Sequence, residues 1–164
     1  MAQPGSNSAP RGRMVLQVRS ADGGLVAERD TTNMVLRGGA RLIANLFAGI
    51  GGAGRIDSIG IGFAGEPGNS ELLALTPPDA ALAIPDAALS TALPPESFEI
   101  KDDLAGFVRV NVSARFSPSR EIAGVSEAGL LAGDTLYNQV IFEPVTLRNG
   151  QDVTFFWQID FPFG

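Results

Sequence analysis

Val153, Phe155, Trp157, Ile159 and Phe161 alternate with Thr154, Phe156, Gln158 and Asp160, and Val108, Val110, Val112, Ala114 and Phe116 alternate with Arg109, Asn111, Ser113 and Arg115. A period of two sends one row of side chains to a buried face and the other to a wetter one, the signature of half-buried strands. Such a strand does not stand alone. Burying the apolar row of residues 153–161 returns roughly 10 kcal/mol, and fixing the backbone costs about 1 to 2 kcal/mol per residue, so the two terms nearly cancel. Strands of this kind must share a core. The alternation therefore predicts a mainly β fold, an antiparallel β-sandwich with one short α-helix and a long Pro-rich loop. Residues 121–131 and 135–145 lie between the two rows, separated by Ala132-Gly133-Asp134, and Asn149-Gly150 turns the chain into the last strand. These short connections predict three consecutive antiparallel pairings among the four strands.

Toward the N-terminus, Met14, Leu16 and Val18 alternate with Val15, Gln17 and Arg19, and Ala21-Asp22-Gly23-Gly24 supplies turn chemistry before Leu25 to Arg29. This predicts a β-hairpin. Residues 1–13 are small, polar and basic at their end, which predicts a flexible N-terminal arm ahead of a single domain spanning 14–164. A helix is predicted over residues 37–48, because Leu42, Ile43, Leu46 and Phe47 share a face while Arg41 and Asn45 point away. Gly49 ends it, since glycine takes the left-handed conformation at low steric cost. The stretch "GIGGAG" at 49–54 has the G-x-G-x-x-G spacing of a dinucleotide site. That site must leave a strand and open a helix. Here the order is reversed, with a helix before and the strand-like Ile56 to Phe63 after, so the glycines read as a connector.

Residues 65–95, "GEPGNSELLALTPPDAALAIPDAALSTALPP", repeat Pro-Asp-Ala-Ala at 78–81 and 85–88. Two copies so close together do not make a repeat architecture. The segment reads as a surface excursion whose apolar residues Leu72, Leu73, Leu75, Leu82, Ile84, Leu89 and Leu93 need cover, either on the domain's own sheet or on a neighbour.

Composition excludes more than it suggests. The chain has no cysteine and no histidine, which removes disulfides, thiolate nucleophiles, Cys or His metal sites and imidazole-based catalysis. Its 18 acidic groups exceed the combined 12 Lys and Arg, a balance that repels a phosphate backbone, so no nucleic-acid partner is expected. No apolar run is long enough to span a bilayer, and "MAQPGSNSAPRGR" lacks an apolar core behind its arginines, so neither a membrane nor a targeting address is expected. Among carboxylates, Asp102 and Asp103 point to opposite faces if extended and read as turn residues. Glu127 and Glu143 could converge across a hairpin, but solvated surface carboxylates explain them more simply. Calcium would need only oxygen ligands, yet the EF-hand spacing is absent. Trp157 falls in register with the buried row, and so belongs to the core more readily than to a sugar-stacking cleft shared with Tyr137. Phe156, on the opposite face, implies a second covering layer or an exposed apolar contact. No catalytic, cofactor-binding or metal-ligating residue is assigned, and no cofactor.

Asn33-Met34-Val35 followed by Gly38 and Ile43-Ala44, then "IDSIGIGFAG" at 56–65, "VSEAGLL" at 125–131, "LYNQVIFEPVTL" at 136–147 and "VTFFWQIDF" at 153–161 resembles, in order as well as in pieces, tail-fibre and other tail-associated structural proteins of bacteriophages. In that family a helix after the N-terminal strand is followed by an Ile- and Gly-rich strand, a "tEaGLf" strand, an "f.pv" strand and a terminal strand with a central Trp. Related modules serve in phage-derived contractile injection systems. The family's "T-x-L" with a following acid and arginine is missing here, where Ser70-Glu71-Leu72 leads into Pro-rich sequence. The resemblance implies a non-catalytic component of a virion tail or tail-like particle, assembled in the bacterial cytoplasm as a homo-oligomer with other tail proteins. The arm 1–13 and the loop 65–95 are then expected at subunit contacts. The residues alone leave open a carbohydrate-binding β-sandwich with a glycan partner, which an aromatic exposed in a concave site would favour.

Overall fold

In the computed structural model, which describes residues 11–52, 54–64 and 68–164, the two long alternating segments lie side by side. In chain order the elements are β1 (Arg11–Arg19), β2 (Leu25–Thr32), β3 (Met34–Val35), α1 (Arg37–Ala48), β4 (Ser58–Gly62), β5 (Ser90–Ala92), β6 (Phe98–Lys101), β7 (Phe107–Phe116), β8 (Ile122–Ala132), β9 (Thr135–Leu136), β10 (Asn138–Leu147) and β11 (Asp152–Pro162). They form two antiparallel sheets. The first runs β2-β1-β11-β7-β6, and the second β3-β10-β8-β4-β5 with β9 on the end of β8. The inner rows of both sheets meet in one core: Met14, Leu16, Val112, Phe155 and Trp157 from the first, and Ile59, Ile61, Ala128, Leu130, Val140 and Leu147 from the second. The β-sandwich is the predicted architecture. Trp157, 1% exposed, lies in its core as the alternation requires, and its Nε1–H donates to Asn33 Oδ1 at 3.2 Å.

The pairing of the C-terminal strands departs from expectation. Of the three expected pairings only that of β8 with β10 forms. β7 pairs with β11 over Phe107–Phe116 and with β6, and the Asn149-Gly150 turn carries the chain from one sheet to the other. The reason lies in what each strand can tolerate on its second face. β7 and β11 carry Arg109, Asn111, Arg115, Gln158 and Asp160 outward and need a wet outer face. β8 has a nearly continuous buried run from Val125 to Leu130 and needs cover on both sides. A short turn spans the rim of a sandwich as readily as it joins neighbours, so loop length did not discriminate. One seam between the sheets is closed by β2: Arg29 donates to the carbonyls of Glu143 (2.8 Å) and Pro144 (3.0 Å), and Thr31 to that of Ile141 (3.3 Å).

Two expectations are corrected at the N-terminal end. Residues 11–13, placed in the arm, belong to β1 and pair with Asp160, Ile159 and Gln158, because β11 continues to Pro162 and offers them a partner. Residues 1–10 lie outside the described residues. The helix has the expected bounds, and Gly49 caps it at φ 66°, but its apolar face is not the buried one. Gly39 and Leu42 alone are buried. α1 is held through its first turn: the Leu36 N–H donates to the Tyr137 carbonyl at 3.0 Å, the Arg37 N–H to that of Ser70 at 2.9 Å, and a Cβ on Gly39 would run into the Tyr137 backbone. Close backbone approach, rather than the leucine face, seats the helix.

Tyr137 gives a pH-dependent expectation. Its side chain is buried and its hydroxyl has no hydrogen-bond partner among the described residues, and burial pushes its ionisation above the usual tyrosine range. The unfolded chain therefore loses this proton first. The contribution is fully present below about pH 10 and is lost as pH rises through the folded value. Tyr137→Phe is expected to flatten the alkaline loss of stability. It should also raise stability near neutral pH by about 1 kcal/mol, because an unsatisfied buried hydroxyl is removed. Denaturant melts of both proteins across the alkaline range measure this. The phenolate absorbance reports this group alone, since the chain has one tyrosine.

Candidate interaction surfaces

The outer face of the second sheet is closed by the chain itself. Residues 68–95 fold back over it as a strap, with β5 pairing to β4. Leu75 enters a slot left by Gly60, Gly62 and Gly129, each of which would place a Cβ within 3.3 Å of its side chain. The glycines of "IDSIGIGFAG" and "VSEAGLL" thus do steric work. Ile84 and Leu89 pack against the core and Leu93 enters it, whereas Leu73 and Leu82 stay exposed. Of the two covers open to this segment, its own sheet is the one it takes.

Glu127 is the largest correction among the candidate residues. It is fully buried, not a solvated surface carboxylate. It accepts the Thr76 N–H at 2.6 Å and the Gln139 Nε2–H, so it latches the strap to β8 and β10. Among the described residues the ion pairs are Arg13–Asp30, Arg37–Glu71, Arg109–Asp160, Arg115–Asp152 and Arg148–Glu121, none of them to Glu127. Glu143 is exposed, as expected, and Asp102 and Asp103 are exposed in the β6–β7 connection. A signal was available in the sequence: Glu127 sits among small residues on a strand with no polar alternation, which marks a strand covered on both faces. Among the described residues no group of three or more Asp and Glu side chains is placed to hold a metal ion.

Beside the helix lies a hollow of about 470 Å³, lined by Arg41, Asn45, Gly51, Gly52, Leu73 and Asp134 among others. The "GIGGAG" glycines therefore meet the carboxyl end of α1. That end carries the negative pole of the helix and repels phosphate, the opposite of a nucleotide site. On and beside the helix large apolar side chains are left uncovered: Phe47 is 96% exposed, Ile50 61% and Leu73 82%, with Ile43 and Leu46 half exposed.

The outer face of the first sheet is polar and open. Its registers set Glu99, Asn111, Gln158 and Arg13 in one row across four strands, and Ser113, Phe156 and Val15 in the next. Ion pairs stand around it, among them Arg109 to Asp160 at 2.7 and 3.0 Å and Arg115 to Asp152. Phe156 is half exposed at the centre. Of the two outcomes open to it, no second layer of described residues covers it.

Fold and surfaces together define an antiparallel β-sandwich with one sheet sealed by its own strap, one open polar sheet and one uncovered helix. No helix among the described residues is long and apolar enough to cross a membrane. Comparison with protein-family models, with curated proteins and with solved structures gave no match.

Proposed function

We propose that the chain is a non-catalytic structural subunit of a bacteriophage tail or of a phage-tail-like particle, working through contacts between copies of itself and with other tail proteins. The observation that carries this reading is the uncovered apolar face of α1. Ile43, Leu46 and Phe47, neighbours on the helix surface at spacings of three and four, are exposed to water, a liability in a monomer and an asset at a subunit contact. A second copy is the occupant the proposal commits to, since most oligomers of soluble proteins are symmetric assemblies of one chain. The ordered resemblance of the strand and helix motifs to tail proteins supplies the kind of particle. The strap removes part of the expected interface, because residues 68–95 are largely spent on their own sheet, and the contact shifts to α1 and its neighbour Leu73.

Phe47→Asp tests this. The native chain is expected to run as an oligomer in sedimentation, and the variant to dissociate with an unchanged far-ultraviolet spectrum, its association weakened about tenfold or more. A native chain that stays monomeric at every concentration, or a variant with unaltered mass, overturns the self-assembly. Immunogold labelling that leaves purified tail particles bare overturns the assignment to them.

A further inference from the structure

The open sheet carries a second feature that assembly does not use. Phe156 and Gln158 form a ridge between two hollows. One, of about 410 Å³, is bounded by Ser97, Glu99, Asn111 and Ser113, and a smaller one, of about 110 Å³, by Arg13 and Val15. We propose that this double hollow is a carbohydrate-binding site, in which Phe156 stacks on the apolar face of an uncharged pyranose and the amides of Gln158 and Asn111 bond its hydroxyls.

Four observations on this face point to a sugar. First, the exposed aromatic at the centre is a single ring, flanked across the strands by Val15 and Ser113, with Phe98 at the edge of the larger hollow. That suits one sugar ring better than a protein side-chain cluster. Second, the next row supplies Gln158 beside Asn111 and, beyond it, Glu99. An amide both donates and accepts, as a sugar hydroxyl does, so a row of amides matches a row of hydroxyls. Asn111 has a donor to spare: its Nδ2 reaches Glu99 only at 3.4 Å, on the exposed side. Third, the surrounding charges are already paired, Arg13 with Asp30, Arg109 with Asp160 and Arg115 with Asp152. An apolar protein partner would have to strip those ions of water, whereas the hydroxyls of a sugar replace hydrogen bonds of the water they displace. Fourth, Glu96 and Glu99 edge the larger hollow and the chain carries a net charge of −6. Both select against sialic and uronic acids. A concave site with an aromatic wall and a few convergent polar groups is the usual form of a small-ligand site. The inference is independent of the assembly reading, since Phe47 and Phe156 lie on different elements.

The test uses the full chain on an array of neutral and anionic glycans. The neutral glycans retained are then titrated while amide resonances are followed. Retention of neutral pyranosides is expected, with shifts concentrated at Ser113, Asn111, Phe156 and Gln158. Phe156→Ala should weaken binding about tenfold or more, the loss typical of a truncated anchor. Gln158→Ala, which leaves the ring in place, should weaken it in the same direction. Retention of no neutral glycan, retention of anionic glycans only, or affinity unchanged in both variants overturns the proposal. So does movement of these resonances with protein concentration rather than with added sugar, which would identify a protein contact. Phe47→Asp, by contrast, should leave glycan retention intact, so the two proposals fail separately.

Discussion

Replacing Glu127 by alanine is expected to lower stability by about 3 kcal/mol, among the larger effects of any single substitution in a domain of this size. The carboxylate holds two donors, the Thr76 N–H and the Gln139 Nε2–H. Truncation removes the acceptor of both, the second of them in a buried bond. The damage should be directional. Thr76 and Leu75 tie the strap to the second sheet, and Phe63 N–H to Thr76 O at 3.1 Å is the companion bond, so the strap loosens first. Limited proteolysis should cut within 68–95 in Glu127→Ala long before the native chain, and denaturant melts should show the lower midpoint. Glu127→Gln is the informative partner. Its amide oxygen still accepts from Thr76, and its amide nitrogen can donate to the Gln139 Oε1, which has no partner among the described residues, once the Gln139 amide turns over. That variant should stay within about 1 kcal/mol of native stability. Equal damage from both variants would mean that the charge, not the hydrogen-bond geometry, holds the strap.

The second large effect is expected at Gly129. A Cβ there would lie 2.5 Å from the Asn138 carbonyl oxygen and 2.6 Å from Leu136 Cδ1. The oxygen is backbone, held in the β8–β10 region and unable to swing aside. Gly129→Ala should therefore cost about 3 kcal/mol, the upper range for overpacking a tight site. Gly60→Ala is the control. The same added methyl meets the ends of Leu75 and Leu131, at 2.8 and 3.1 Å, and both are flexible leucine termini, so a loss of about 1 kcal/mol is expected. A melt series of the two variants separates a slot built against backbone from one built against side chains. If Gly60→Ala proves the costlier, Leu75 rather than Asn138 sets the width of the slot.

Several of these features were legible along the chain and others were not. The buried row of β11, with Trp157 in it, could be read residue by residue, because alternation reports a strand's own two faces. The bounds of α1 could be read too, since Gly49 marks its end by backbone chemistry alone. The face of α1 could not. Leu42, Ile43, Leu46 and Phe47 satisfy helical spacing, yet only Leu42 found cover, because Gly38 and Gly39 let the first turn sit on the Tyr137 carbonyl and tipped the rest away. Glu127 was misread for a related reason. A carboxylate is solvated unless something else in the fold brings donors to it, and those donors came from Thr76, fifty-one residues away in sequence. Asn111, Phe156 and Gln158 were each visible on the outward rows, but their adjacency follows from β7 pairing with β11, which the connection lengths did not foretell.

By itself the amino-acid order determined what each segment could be: amphipathic strands with one hidden row, a short helix closed by glycine, a connector too far from any helix N-terminus to hold phosphate, and a chain without thiol or imidazole chemistry. Those are local matters, set by side-chain period and by backbone preferences within a few residues. Only the tertiary structure decided which strands became neighbours, which carboxylate was sealed under the strap, and which apolar surface was left to water. Burial depends on what arrives to cover a face, and that is a property of the assembled sheets rather than of any one of them.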